Sequence, residues 1–118
     1  MLLLNMNSKD APMHLPPPIH TYFTARAPQD GNALAAAFGP DAIVQDEGQT
    51  HRGQQAIRDW WLAANAKYRH HAEPIAMTEA DGKTMVKATV TGDFPGSPAV
   101  LTFRFGLSGD RISDLEIG

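Results

Sequence analysis

The stretch Phe38-Gly39-Pro40-Asp41-Ala42-Ile43-Val44-Gln45-Asp46 decides how this chain folds, because it changes periodicity partway along. Gly39-Pro40 is a stop signal for a preceding helix. From Ala42 onward the side chains alternate. Ala42, Val44 and Asp46 fall on one face of a short strand, and Ile43 and Gln45 on the other. A carboxylate therefore shares a face with two apolar side chains. Beyond it, Glu47-Gly48-Gln49-Thr50 reads as a turn, and Gly53 opens a helix that runs to about Tyr68. Ile57, Trp60/Trp61, Ala64 and Tyr68 form the apolar stripe of that helix, while Gln54, Arg58, Asp59 and Lys67 stay wet.

Working outward toward the N-terminus, Ile19, Tyr22, Phe23 and Arg26 recur at three- and four-residue spacing, which predicts a helix with an aromatic inner face. It begins near Pro18, since proline is welcome in a first turn, and Ala27-Pro28 ends it. Asp30 is expected to cap a second short helix with Leu34 and Phe38 on one side. Residues 1–17 have no period and run into Pro16-Pro17, so they read as a flexible tail ahead of a domain spanning residues 18–118.

Toward the C-terminus the pattern turns to strands. Pro74 marks a bulge or an edge. Asp81-Gly82 joins Ile75–Ala80 to Lys83–Asp93 as a hairpin. Phe94 to Pro98 is a loop, and Ala99–Leu107 and Arg111–Ile117 are two further strands about a turn at Ser108-Gly109-Asp110. Three early helices and a run of strands make an α+β domain, with helices covering one face of a bent, mostly antiparallel sheet.

At 118 residues the chain suits one domain with one core and one modest pocket. Ten basic against 13 acidic residues, a net charge of −3, exclude a nucleic-acid footprint. The absence of cysteine removes thiol nucleophiles, thiolate metal sites and disulfides. No apolar run reaches the length of a membrane span, and Met1-Leu2-Leu3-Leu4 is too short for a signal core, so a cytoplasmic location is expected. Glycine-rich phosphate loops, zinc-type His spacing and a nucleophile elbow are all missing. His70 and His71 fall on opposite faces of a strand, so they do not chelate one ion. Both are expected at the surface, and no metal site is assigned.

Asp46 is the carboxylate of chemical interest. Facing a pocket lined by Val44, Phe103, Phe105 and Leu115, it would lose water, rise in pKa and become a usable proton acceptor. Tyr22 would then aim its hydroxyl at an oxygen developing negative charge. The plainer reading has Asp46 capping a turn and Tyr22 in the core.

The stretch Phe38 to Asp46, followed by His51-Arg52-Gly53-Gln54-Gln55-Ala56-Ile57-Arg58-Asp59-Trp60, resembles the signature of the nuclear transport factor 2-like superfamily. Within it, the chain is most similar to the SnoaL-like and ketosteroid-isomerase-like group, over about residues 18–118. The resemblance implies a cystatin-like α+β barrel, a cone of curved sheet wrapped around three N-terminal helices. It also implies an apolar cavity that takes a small apolar or aromatic ligand without a cofactor, and a homodimer formed through the sheet. Ketosteroid isomerase combines an aspartate base with an oxyanion hole of a tyrosine and a protonated aspartic acid. Asp46 matches the base and Tyr22 the tyrosine. The third member has no counterpart, since Leu101 stands in its place. Losing one oxyanion donor costs about 2.7–4 kcal/mol of transition-state stabilisation.

The expected activity is therefore a proton transfer of isomerase, cyclase or dehydratase type rather than steroid isomerisation. His51 is a candidate second acid or base, or else holds the lead-in to the third helix. Trp60, Trp61, Leu101, Phe103, Phe105, Val44 and Leu115 are the candidate ligand-gripping residues. A non-catalytic ligand-binding or dimerisation module of the same fold is the alternative.

Overall fold

The computed structural model describes residues 14–118. The tail expected over residues 1–17 lies mostly outside that range, and helix α1 already begins at Pro17, running Pro17–Thr24. Helix α2 (Gly31–Ala36) follows, then strands β1 (Phe38–Asp46) and β2 (Gln49–Arg52) and helix α3 (Gln54–Tyr68). Strands β3 (His71–Ala80), β4 (Lys83–Thr91), β5 (Ala99–Ser108) and β6 (Arg111–Ile117) complete the chain. No helix among the described residues is long and apolar enough to cross a membrane.

The strands form one six-stranded curved sheet in the order β2-β1-β6-β5-β4-β3. Every neighbouring pair is antiparallel except β1 and β6, which run parallel and bring the first strand beside the last. That pairing sets Val44 opposite Leu115 and carries the Asp46 end of β1 onto the sheet. The helices supply the cover. Ile19, Leu34, Ile57 and Trp61 meet Phe38, Val44, Val86, Phe103, Phe105, Ile112 and Leu115 in one buried core.

The tight turns follow from local chemistry. Glu47 and Gly48 both have positive φ, 53° and 75°, as do Asp81 and Gly82, 54° and 76°. Two consecutive positive-φ residues match the twist of a hairpin, which is why Asp-Gly and its relatives recur there.

Several element limits differ from the sequence expectation. Gly39-Pro40 does not close a helix; α2 ends at Ala36 and the chain is already strand at Phe38. Pro40 has no N–H for a ladder, and the register of β1 against β6 slips between Phe38 and Ile43, which accommodates it. Gln49 and Thr50 belong to β2 rather than to the turn. Strand β3 starts at His71, earlier than Ile75, because its register shift at Pro74 lets pairing continue past the proline. Asp30 stands at the N-cap of α2 without capping it, as its Oδ2 accepts the Arg26 amide instead at 2.9 Å.

Candidate functional site

Asp46 is the last residue of β1, immediately before the positive-φ pair. Its side chain is half-buried, and Trp60 Nε1–H of α3 donates to Oδ2 at 3.1 Å. Next to it, Tyr68 Oη donates to the Glu47 carboxylate at 3.0 Å. The hairpin tip is thus pinned twice to α3, by residues eight apart on that helix. His51, opposite Val44 on β2, stacks on the Trp60 ring with centroids 5.7 Å apart and 30° between planes.

These surroundings set the proton affinity of Asp46. Burial raises its pKa most, the Trp60 hydrogen bond opposes the rise, and the Glu47 charge adds to it. His51 and His70 pull it down. The carboxylate is a stronger base than an exposed one.

Tyr22 lies on the inner face of α1 in an aromatic cluster, its ring 5.1 Å from Phe23, 5.6 Å from Phe105 and 6.0 Å from Phe103. The edge-to-face arrangements are those that ring quadrupoles favour. Burial pushes its phenol above the usual tyrosine range, and the Asp46 charge adds to the rise. Tyr22 stays protonated and is a donor at any ordinary pH.

The residues expected to grip a ligand separate into two groups. Val44, Trp61, Phe103, Phe105 and Leu115 are buried in the core. Leu101, opposite Ala88 on β4, and Trp60 are partly buried and pack against it. An open cleft lies elsewhere, between the end of α1, the C-terminal half of α3 and the start of β3. This cleft of about 1270 Å³ is lined by Phe23, Leu62, Asn65, His70, Pro74 and Ile75 among others. Neither Asp46, Tyr22, His51 nor any of the seven gripping candidates is on its wall.

His70 is not the surface histidine that strand alternation suggests. It is half-buried and it lines the cleft. Burial lowers its pKa, against the opposing pull of Asp46 and of the Ala64 carbonyl, while His71 lowers it further. No local pattern in the sequence separates His70 from His71 in this respect. Among the described residues no cluster of three or more histidine or acidic side chains is placed to hold a metal ion.

Comparison with known proteins agrees with this architecture. The profile of the SnoaL-like domain matches residues 19–114. A polyketide cyclase candidate from Sinorhizobium meliloti is 42% identical, with 96% of this chain and 100% of that chain covered and a TM-score of 0.82. A Catenulispora acidiphila protein of ketosteroid isomerase-like fold, solved with trimethylamine, has 20% identity, coverage of 89% and 86%, and a TM-score of 0.75. An isomerase candidate of the SnoaL-like family from Agrobacterium tumefaciens has 16% identity, coverage of 86% and 92%, and a TM-score of 0.71. Comparison with curated proteins gives no match. At these lower identities the likeness is one of fold, that of the nuclear transport factor 2-like superfamily. With its domain profile matched over most of its length and a 42% identical relative aligned along all of that relative's chain, this chain belongs to the SnoaL-like domain family.

Proposed function

We propose that this chain is a small-molecule enzyme that moves a proton on an apolar carbonyl compound, without a cofactor, in a reaction of isomerase, cyclase or dehydratase type. One observation carries the reading: a strand-end carboxylate is half-withdrawn from water, held by Trp60 Nε1–H, and feels the charges of both His51 and His70. Asp46 accepts a proton alpha to the carbonyl. The electron pair of the broken C–H bond moves into the carbonyl as an enolate, and the protonated Tyr22 hydroxyl donates to the developing oxyanion. A base of raised pKa is better matched to a weakly acidic C–H than an ordinary carboxylate is.

Polyketide-like and aromatic carbonyl compounds are the first substrates to test, since the 42% identical relative is described in polyketide cyclase terms. Trp60 and Leu101, the two gripping candidates that are only partly buried, are the ones proposed to meet the ligand, with Val44, Trp61, Phe103, Phe105 and Leu115 packed in the core behind them. Pairing of two copies through the outer face of the sheet belongs to the same reading, supported by Val100 on β5, which leaves 58% of its surface exposed.

The test is deuterium incorporation from heavy water into a panel of cyclic ketones and aromatic β-keto esters. Wild type is expected to exchange the alpha position well above buffer, and D46N to lose that exchange while keeping its ligand-induced thermal shift. Equal exchange by D46N overturns the reading. A second reading, a ligand-binding module without chemistry, is favoured by Leu101, an aliphatic side chain where the isomerase pattern has a hydrogen-bond donor. Saturable binding without exchange would select it.

A further inference from the structure

Trp60 and Trp61 stand side by side on α3 and do different things. About 100° separates neighbouring residues around a helix, so the two rings leave it in different directions. Trp61 enters the core and keeps only 5% of its surface exposed. Trp60 is partly buried and reaches the end of β1, where its Nε1–H meets Asp46 Oδ2 at 3.1 Å. An indole nitrogen donates and does not accept, so Oδ2 is the acceptor in this pair. Among the described residues no second donor meets the carboxylate, which leaves Oδ1 as the oxygen without a protein partner.

The indole is itself held. His51 reaches across from β2 and stacks on one face of the ring, while Asp46 takes its N–H edge. Eight residues further along α3, Tyr68 Oη donates to Glu47 at 3.0 Å and ties the neighbouring carboxylate back to the same helix. Both acidic side chains at the hairpin tip are therefore oriented from α3.

We infer that Trp60 is the positioning residue of the base: its N–H occupies Oδ2 and aims Oδ1, the oxygen that takes the proton, while the stacked His51 fixes the indole. The inference rests on the proton-transfer reading above and names the reacting atom within it. The alpha C–H bond breaks, its electron pair passes into the carbonyl as an enolate, and the proton goes to Oδ1. On return, Oδ1 gives the proton back to a carbon of the enolate, the carbonyl re-forms, and the carboxylate is restored. Oδ2 keeps its hydrogen bond throughout.

The same bond opposes what burial does to the carboxylate. Burial and the Glu47 charge favour the protonated acid, whereas Trp60, His51 and His70 favour the ionised form that can accept a proton. Tyr22, the other titratable group that feels the Asp46 charge, stays neutral. Loss of the indole N–H therefore costs alignment and also leaves less ionised base at a given pH.

The test uses the full-length protein and whichever ketone or β-keto ester of the panel above wild type exchanges fastest. Position 60 is changed to Phe, and separately to the benzothiophene isostere of tryptophan, which keeps the ring and lacks the N–H. The isostere is expected to lower kcat for exchange about a hundredfold, the scale of a misaligned reacting group, with little change in KM. The pH midpoint of the rate should move upward. An isostere with the wild-type kcat overturns the inference, and so does a slower one whose midpoint is unmoved, since lost packing alone would give that. A second measurement needs no stable variant of Trp60 that retains activity. In the 15N-labelled protein the Trp60 indole resonance should titrate with the midpoint of the exchange rate and be flat in D46N; a resonance that does not follow pH overturns the inference. Failure of wild type to exchange any compound, with the resonance still titrating, sinks the proton-transfer reading and the catalytic role of Trp60 with it. Exchange lost in D46N but unaffected by the isostere sinks only Trp60.

Discussion

Two regions meet at Tyr22 and differ in kind. On one side Phe23, Phe38 and Phe105 meet its ring edge-on and Phe103 meets it tilted, and the core cluster around them is apolar. On the other side Asp46, Trp60, His51 and His70 form a polar corner, none of it fully buried. The first region stabilises by burial and dispersion, and its geometry is overdetermined by packing. The second keeps an ionisable group in a place that disfavours its charge, an arrangement common at functional sites. Stability and activity in this chain should therefore respond to different substitutions.

The largest effect is expected in the aromatic region. Phe105→Ala should cost about 3–5 kcal/mol, as for other fully buried phenylalanines, which is a large share of the stability of a small domain. Urea denaturation measures it. A loss below about 1 kcal/mol would mean the ring is not the packing centre described above. D46N inverts the pattern. Proton-transfer activity should fall about a hundred- to ten-thousandfold, while the Tm at neutral pH rises.

The sign follows from linkage. The folded protein holds the Asp46 proton more tightly than the unfolded chain does, so this group's contribution declines as pH rises through the interval between its ordinary and raised values. The asparagine has no such interval. A thermal melt series from acid to neutral pH tests it, and a lower Tm for D46N at neutral pH would contradict the assignment.

Tyr22→Phe removes only a hydroxyl and keeps the ring contacts, so activity should drop about a hundred- to a thousandfold with the denaturation midpoint nearly unchanged. An equal loss of both would place Tyr22 wholly in the structural region. His70 gives a smaller effect of opposite sign to Asp46. Its lowered pKa means the unfolded state binds the proton more readily, so stability is complete above the ordinary imidazole value and is lost as pH falls below about 6.5. H70Q should flatten that acid-side decline in the same melts. Smallest of all, Val100→Glu on the outer sheet face should leave the monomer fold and the melt intact while shifting sedimentation toward the monomer if two copies pair there.

Much of the fold could be read residue by residue. Alternation placed Ala42, Val44 and Asp46 on one face, and Asp81-Gly82 marked its hairpin, because these patterns depend only on neighbours along the chain. Strand β6 matches its expected limits, Arg111 to Ile117. Gly39-Pro40 misled for the same reason in reverse. It is a stop signal in isolation, but pairing with Ile112 at one end and Asp114 beyond the slip makes the segment a strand.

The candidate site was only partly legible. Asp46 and Tyr22 follow from face and type, and the Asp46 charge does reach Tyr22. Trp60 was expected as a ligand-gripping ring, and the hydrogen bond of its N–H to Asp46 was not foreseen. His70 was beyond reach, since its inward turn depends on a left-handed arginine and on a glycine more than twenty residues later.

The amino-acid sequence alone determined the helices, the hairpins and the presence of an acid and a phenol on inward faces, since each of those is dictated by periodicity and turn chemistry. Tertiary structure alone decided that β1 lies parallel to β6, that aromatic rings fill the interior beside Tyr22, and that the cleft opens beside His70. Those are contacts between distant segments, selected by how surfaces fit rather than by any local preference.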